Sequence, residues 1–268
     1  MQNSKDSSSA SKGTRPRRSP GLTAVYVVLR AIVITLLVLN VLQKEYESAY
    51  ICALALLLFV IPSVLERRLR IDIPSVMEVL ILLFIFAAEI LGELQSYYMQ
   101  YPHWDTMLHT VNGFLCAAVG FSLIDILTRN KQEKFRLSPL YVSLVAFCFS
   151  MTIGVLWEFF EYGMDWVFHT DMQKDTVVSS LYSALLGGGP VAPLEEISSV
   201  TINGQPLEVE GYLDIGLRDS MADLFVNFIG AVVFSVIGYV YIRQRGKGGS
   251  GRLLQHFLPA LEEDRGQE

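Results

Sequence analysis

Six long apolar segments, separated by polar connections, make up most of the chain after residue 20. They lie at about 22–42, 49–65, 74–94, 105–127, 139–166 and 220–242. Each approaches the roughly 20 residues that a helix needs to cross the hydrocarbon core of a bilayer. The pattern therefore predicts an all-α integral membrane protein built as a six-helix transmembrane bundle, and it argues against a soluble fold.

Composition agrees with this prediction. Of the 268 residues, 51% are hydrophobic and 18% are charged, whereas soluble domains carry about a quarter charged residues. The mean hydropathy is +0.39. The three cysteines all fall inside apolar segments, so no disulfide framework is expected. We divide the chain into a basic, Ser-rich disordered tail (1–20), a transmembrane domain (21–243) and a C-terminal tail (244–268).

The basic residues predict the orientation. Lys and Arg are concentrated in the N-terminal tail, in the second and fourth connections and in the C-terminal tail, whereas the other connections hold few. By the positive-inside rule both termini are cytoplasmic, and connections one, three and five lie outside. The fifth connection, 167–219, is long and is expected to form a small extracytoplasmic cap. In it "SSLYSALLGGGP" predicts a short helix, and Asn203-Gly204 between apolar runs predicts a β-hairpin.

Carboxylates are placed unusually within these apolar segments. In "WEFFEYGMDW", Glu158, Glu161 and Asp165 fall on one stripe of a helix. Three further helices carry polar residues at the same predicted outer end, namely Glu89, Glu93, Asp105, His109, Asp219 and Asp223. Asp105 and Asp219 could instead cap helix starts, and Glu93 and Asp165 could face water. For the others, burial in a membrane is costly unless a cation compensates the charge.

Because eight carboxylates converge with only His109 and Arg218 expected nearby to balance them, we predict a bound cation. A set of carboxylate oxygens with one imidazole favours Mg²⁺, Mn²⁺ or Ca²⁺, with Zn²⁺ also possible. His109 and Glu158 are candidate catalytic residues, and Arg218 is a candidate substrate-binding residue. The expected metal ligands are Glu89, Asp105, His109, Glu158, Glu161, Asp219 and Asp223.

Several ordered motifs carry a family resemblance: "WDTMLHTVNGF", "GVLWEFFEYGMDWVF", "DMQKDTVV" and "DIGLRDSMADLFVNFIGA". They resemble a family of bacterial multi-pass inner-membrane proteins that includes YjdF. More distantly, the pattern is similar to that of VanZ-like proteins. The resemblance implies a bacterial cytoplasmic-membrane location and a link to the cell envelope, but no settled reaction. This chain has Asn227 where YjdF-type relatives tend to have Asp. It also carries about 35 extra residues, at about 177–213, before the last helix.

Three functions remain open from the sequence. The first is a metal-dependent hydrolase or transferase acting on a lipid-linked or phosphorylated envelope substrate, although no nucleophile motif or phosphate-binding loop is recognisable. The second is a non-catalytic envelope scaffold or resistance protein stapled by the metal or by ion pairs. The third, an ion-coupled transporter, is disfavoured because the polar residues crowd one end of the bundle. Membrane lipids are the expected partners, and no nucleic-acid role is expected.

Overall fold

Six helices long and apolar enough to cross a membrane form the body of the protein, as the sequence predicts. The computed structural model describes residues 20–69, 71–129, 137–185, 191–244 and 260–261. Both predicted tails therefore lie almost entirely outside the described residues. The six candidate spans are Pro20–Gln43, Tyr46–Arg68, Ser75–Leu94, Trp104–Ile124, Pro139–Phe168 and Leu217–Gln244.

The described residues contain eight α-helices and one π-helix, and all but one short α-helix contribute to these spans. The first half of the chain contains α1 (Pro20–Gln43), α2 (Tyr46–Leu58), α3 (Ile61–Leu69), α4 (Ser75–Ile85) and the π-helix (Phe86–Leu94). The second half contains α5 (Tyr97–Gln100), α6 (Trp104–Arg129), α7 (Pro139–Phe168) and α8 (Leu217–Gln244). Because consecutive spans are antiparallel, α6 and α8 run in the same direction and α7 runs against both.

Two spans depart from regular helix. The second is interrupted between α2 and α3 because Pro62 has no N–H to donate one turn back. The guanidinium of Arg30 instead donates to the Phe59 carbonyl oxygen at 3.3 Å, which satisfies an acceptor at this break. In the third span the helix widens into the π-helix, where the Trp104 indole N–H donates to the Ala87 carbonyl at 3.3 Å. Local hydrophobic periodicity does not distinguish either irregularity from a continuous α-helix.

The helices pack in two groups. In one, α6, α7 and α8 contact each other along their lengths; in the other, α1 and α2 pack against α4 and the π-helix. The first group holds a core that includes Phe121, Ala146 and Phe234, all fully buried. The second group contains a buried polar contact, in which the Tyr26 hydroxyl donates to Glu78 at 2.6 Å.

Glycines set the close approach of α6, α7 and α8. A Cβ at Gly230 of α8 would lie 2.1 Å from the Thr110 carbonyl oxygen of α6, and one at Gly113 of α6 would lie 2.1 Å from the Asn227 carbonyl oxygen of α8. On α7, a Cβ at Gly154 would lie 2.7 Å from the side-chain nitrogen of Asn227. A side chain at Gly113 or Gly230 would separate the backbones of α6 and α8, and one at Gly154 would displace the Asn227 side chain, so glycine permits each contact.

The connection between α7 and α8, hereafter the cap, contains six short strands among its described residues, and one of its segments differs from the prediction. The segment expected to be a short helix contains strand β3 (Leu181–Ser183), which pairs antiparallel with β4 (Ala192–Leu194). The prediction of a helix was wrong because pairing with β4, about ten residues later, supplies the hydrogen bonds that a local helix would have made. Residues 186–190, including Pro190, lie outside the described residues.

The predicted hairpin is confirmed. Strands β5 (Thr201–Ile202) and β6 (Gln205–Pro206) pair antiparallel around a two-residue turn. Asn203 has φ 53° and Gly204 has φ 81°, the left-handed conformations that a type I′ turn requires at both central positions. The remaining short strands are β1 (Ile71–Asp72) paired with β8 (Ala260–Leu261), and β2 (Thr176–Val178) paired with β7 (Tyr212–Asp214).

Candidate functional site

An imidazole surrounded by carboxylates lies at the end of the bundle where α7 ends and α6 and α8 begin, hereafter the acidic end. Nε2 of His109 lies 3.5 Å from an oxygen of Asp105 and 3.9 Å from an oxygen of Asp223. Its Nδ1 lies 3.8 Å from an oxygen of Glu158. Because Asp105 and His109 are on α6, Glu158 on α7 and Asp223 on α8, this cluster joins three helices.

Two overlapping sets of three residues share His109. Asp105, His109 and Asp223 form one set, and His109, Glu158 and Glu161 form the other; within each set, one ligand atom per residue lies within 4.8 Å of the others. All but Asp105 are less than a tenth exposed. The sequence prediction that these five residues converge is therefore confirmed.

The hydrogen-bonding state of the cluster is unusual for buried groups. Both side-chain oxygens of Glu158 and Oδ2 of Asp223 are buried, and no described residue donates a hydrogen bond to them. Leaving a buried polar atom unpaired costs about 1–3 kcal/mol, and more for a charged group. Glu161 is different, since it accepts a hydrogen bond from the Trp157 indole N–H at 2.7 Å. The unpaired atoms thus belong to two of the three residues whose oxygens lie within 4 Å of the imidazole.

Two asparagine side chains lie one helical turn beyond the cluster, towards the middle of α6 and α8. The Asn112 side-chain amide donates to Asn227 Oδ1 at 3.2 Å, and the Asn227 amide in turn contacts the Met151 sulfur at 3.6 Å. Asn227 is 1% exposed and makes neutral contacts to neighbouring helices. Asn227 therefore connects the three helices next to the cluster, and it is not a member of either three-residue set.

Two acidic residues at this end hold the loop that follows α7. Asp165 accepts hydrogen bonds from the Thr170 hydroxyl and from the backbone N–H groups of Met172 and Gln173, at 2.6–2.8 Å. Asp219 accepts one from the backbone N–H of Lys174 at 2.7 Å. We call residues 170–174 the strap, because these contacts hold them between the end of α7 and the start of α8.

Three residues from the sequence-predicted site lie outside the two sets. Asp219 stands one turn before Asp223 but has one oxygen committed to the strap. Glu89 is buried in the π-helix, and neither set contains it. Arg218 is exposed, its backbone N–H donates to Asp214, and its guanidinium makes no ion pair with any described residue. Their roles as ligands or substrate contacts therefore remain predictions.

Tyr98 also lies at this end, although it is not among the site residues predicted from the sequence. The ring packs directly on the π-helix, where a Cβ at Gly92 would come within 2.4 Å of it. Burial raises the pKa of the Tyr98 phenol above its ordinary value, and the charges of Asp105, Glu93, Glu89 and Glu161 raise it further. The phenol therefore remains protonated, as a hydrogen-bond donor near the acidic residues.

Lys174 was also missed, and it corrects the expectation that only His109 and Arg218 could balance the acids. Its ammonium lies 5.9 Å from the centre of the Tyr98 ring, near the limit of a cation–π contact. The ammonium also donates to the Asp171 carbonyl oxygen. The sequence does hold a clue to Lys174, because "DMQKDTVV" carries one of the few basic residues in the fifth connection.

Most of the chain, including this site, matches a family of known proteins. Residues 25–244 match a family model described as a predicted membrane protein (DUF2238). The chain belongs to this family. The matched range contains both three-residue sets and the strap, so the acidic end is part of the DUF2238 region and is not an appendage to it.

One curated relative extends the comparison. An uncharacterized protein of Thermotoga maritima is 26% identical over 129 residues, which cover 47% of this chain and 65% of that protein. The match thus spans slightly less than two thirds of the relative's length, and it supplies no activity. No solved structure matches the chain.

Proposed function

We propose that the acidic end binds a divalent metal ion through Asp105, Nε2 of His109 and Asp223. The observation that carries this proposal is the set of buried oxygens on Glu158 and Asp223 that no described residue satisfies, facing an imidazole. A cation would compensate these charges. Mg²⁺, Mn²⁺ or Ca²⁺ suits the oxygen-rich set, and Zn²⁺ is also compatible with it.

The spacing of the ligand atoms supports a shared ion. Two ligands at about 2.1 Å from a metal are separated by about 3.0–3.4 Å at octahedral or tetrahedral angles. The observed separations of 3.5 Å and 3.9 Å from His109 Nε2 are too long for hydrogen bonds and need only a small contraction to hold an ion.

We further propose that the centre serves a hydrolase or transferase acting on a phosphorylated or lipid-linked envelope substrate. The metal would polarise a phosphoryl oxygen, and Glu158 would accept the proton of the attacking water or hydroxyl group. The oxygen of the attacking water or hydroxyl group would form the new bond to phosphorus, and the bond from phosphorus to the leaving oxygen would break. The leaving oxygen takes its proton from solvent, so the step needs no oxidant or reductant.

Two features support access from one side only. Below the Asn112–Asn227 pair, Phe121 and Phe234 are fully buried between α6 and α8. Such an apolar layer disfavours an ion path through these helices, which weakens the transporter alternative. The positive-inside prediction puts the acidic end at the outer face of a bacterial cytoplasmic membrane. A substrate with its head group in the outer leaflet fits that location, as does the resemblance to VanZ-like envelope proteins.

The test is metal binding by the purified protein in detergent. We expect the Mn²⁺ electron paramagnetic resonance signal to report one bound ion, and Asp223→Asn and Asp105→Asn each to weaken binding at least tenfold. Glu208→Gln, which alters an exposed carboxylate in the cap, is the matched control. If the variants fold and bind Mn²⁺ as the unaltered protein does, the proposed ligand set is wrong.

Catalysis is tested separately from binding. Metal-loaded protein incubated with phosphorylated lipids should release inorganic phosphate or transfer the phosphoryl-linked group, and Glu158→Gln should abolish turnover while it retains metal. If the metal only holds the helices together, we expect the opposite pattern: no turnover, and loss of the folded protein when the metal is removed. That alternative is supported by the position of the cluster, which ties three helices together.

A further inference from the structure

We propose that Lys174 is the residue that binds the phosphate group of a ligand at the acidic end, in the role that the sequence analysis assigned to Arg218. This inference rests on the proposed metal centre and specifies which side chain accompanies the metal. A phosphate carried by a lipid head group and free phosphate present the same chemistry to this residue.

The strap fixes where Lys174 begins. Its backbone N–H is bonded to Asp219, one turn before the ligand Asp223 on α8. The preceding residue, Gln173, is held by Asp165 through its backbone and by Ser220 through its side chain. Gly216, with φ 111°, leaves room for Gln173, because a Cβ there would lie 2.7 Å from that residue. Lys174 is thus anchored at the first turn of α8.

Tyr98 fixes where the side chain of Lys174 ends. The ammonium lies near the Tyr98 ring, which itself packs on Gly92 of the π-helix. The side chain therefore starts beside the first turn of α8 and ends beside the Tyr98 ring, which packs on the π-helix. Arg218 contrasts with this arrangement, because its side chain is exposed and makes no hydrogen bond or ion pair with any described residue.

The charges explain why a phosphate would bind here. A metal on Asp105, His109 and Asp223 is neutralised by its two carboxylates, so it holds an anion poorly without a second cation. An ammonium carries three N–H donors, and the Asp171 carbonyl uses one of those of Lys174. The others are available to a phosphate oxygen, while the protonated phenol of Tyr98 can donate nearby. The ammonium would then supply the second positive charge that holds a phosphate at the acidic end.

The experiment uses the Mn²⁺-loaded full-length protein and inorganic phosphate as the probe. Phosphate bound beside Mn²⁺ shows strongly accelerated ³¹P relaxation. We expect Lys174→Gln to weaken the apparent phosphate affinity about tenfold or more, since a charged hydrogen bond is lost. Arg218→Gln should leave it within about twofold. Lys174→Arg should recover part of the loss, because it restores the charge.

The outcomes separate this inference from the metal centre. If Mn²⁺ does not bind, both fail. If Mn²⁺ binds but neither Lys174→Gln nor Arg218→Gln changes the phosphate relaxation, the role of Lys174 is refuted. It is also refuted if only Arg218→Gln reduces the phosphate effect. In both cases the metal centre stands. Vesicles of phosphatidic acid in phosphatidylcholine then identify the source: competition with inorganic phosphate that depends on Lys174 supports a lipid head group, and absence of competition supports free phosphate.

Discussion

Replacing Gly230 by Ala tests whether the close contact of α6 and α8 builds the acidic end. The new Cβ would lie 2.1 Å from the Thr110 carbonyl oxygen and 2.9 Å from the Phe114 backbone nitrogen. The first contact falls about 1.3 Å short of the 3.4 Å at which ordinary van der Waals contact begins. Both obstacles are backbone atoms, which cannot rotate aside, so the helices must separate by about 1 Å.

The expected loss of stability follows from this overpacking. Inserting a methyl group into a filled contact costs about 1–3 kcal/mol, which for a chain of this size lowers the melting temperature by about 2–4 °C per kcal/mol. Gly163→Ala on α7 is the matched control, because no atom lies within 4 Å of its Cβ. Thermal unfolding in detergent is the assay. Equal melting temperatures for the two variants would refute the packing argument.

The same substitution should also weaken the metal centre. His109 on α6 and Asp223 on α8 are 3.9 Å apart, and a 1 Å separation of the helices would carry that distance towards 5 Å. We expect Mn²⁺ affinity to fall at least tenfold, as it does for other changes that displace metal ligands. Unchanged affinity in a variant with lowered stability would show that the ligands move independently of the α6–α8 contact.

Three further predictions concern the strap, the cap and pH. Asp165→Ala removes three hydrogen bonds to the strap, so proteolysis near Lys174 should accelerate at least fivefold. Gly204→Ala places a Cβ at φ 81° and should destabilise the hairpin by about 1 kcal/mol, measured as faster amide exchange in β5 and β6. Mn²⁺ affinity should fall as the pH is lowered from 8 to 5, because protons compete for the carboxylates and for His109.

Each of these has a control that can contradict it. Glu208→Gln should leave proteolysis of the strap unchanged, and equal cleavage in Asp165→Ala would mean that other contacts hold the loop. Amide exchange in β2 and β7 should not respond to Gly204→Ala; a general increase would indicate global rather than local destabilisation. A metal affinity that does not vary with pH would mean that neither the carboxylates nor His109 bind the ion.

The composition of the acidic cluster was predictable in part. On α7, Glu158 and Glu161 are three residues apart, so any helix presents them on one face, and Asp105 and His109 are four apart on α6. Local periodicity therefore indicates the stripes. It does not indicate that Asp219 binds the strap, or that Lys174 reaches Tyr98, because these contacts join residues 45 and 76 positions apart along the chain.

The sequence by itself determined the six spans, their apolar faces and the turn at Asn203-Gly204, because hydrophobic length and backbone conformation act over a few neighbouring residues. Tertiary structure decided the rest. Contacts at Gly113, Gly154 and Gly230 bring α6, α7 and α8 close enough for their acidic faces to meet. Pairing with β4 turned an expected helix into β3. In each case the deciding partner lies on another helix or strand, so only the packed chain reveals it.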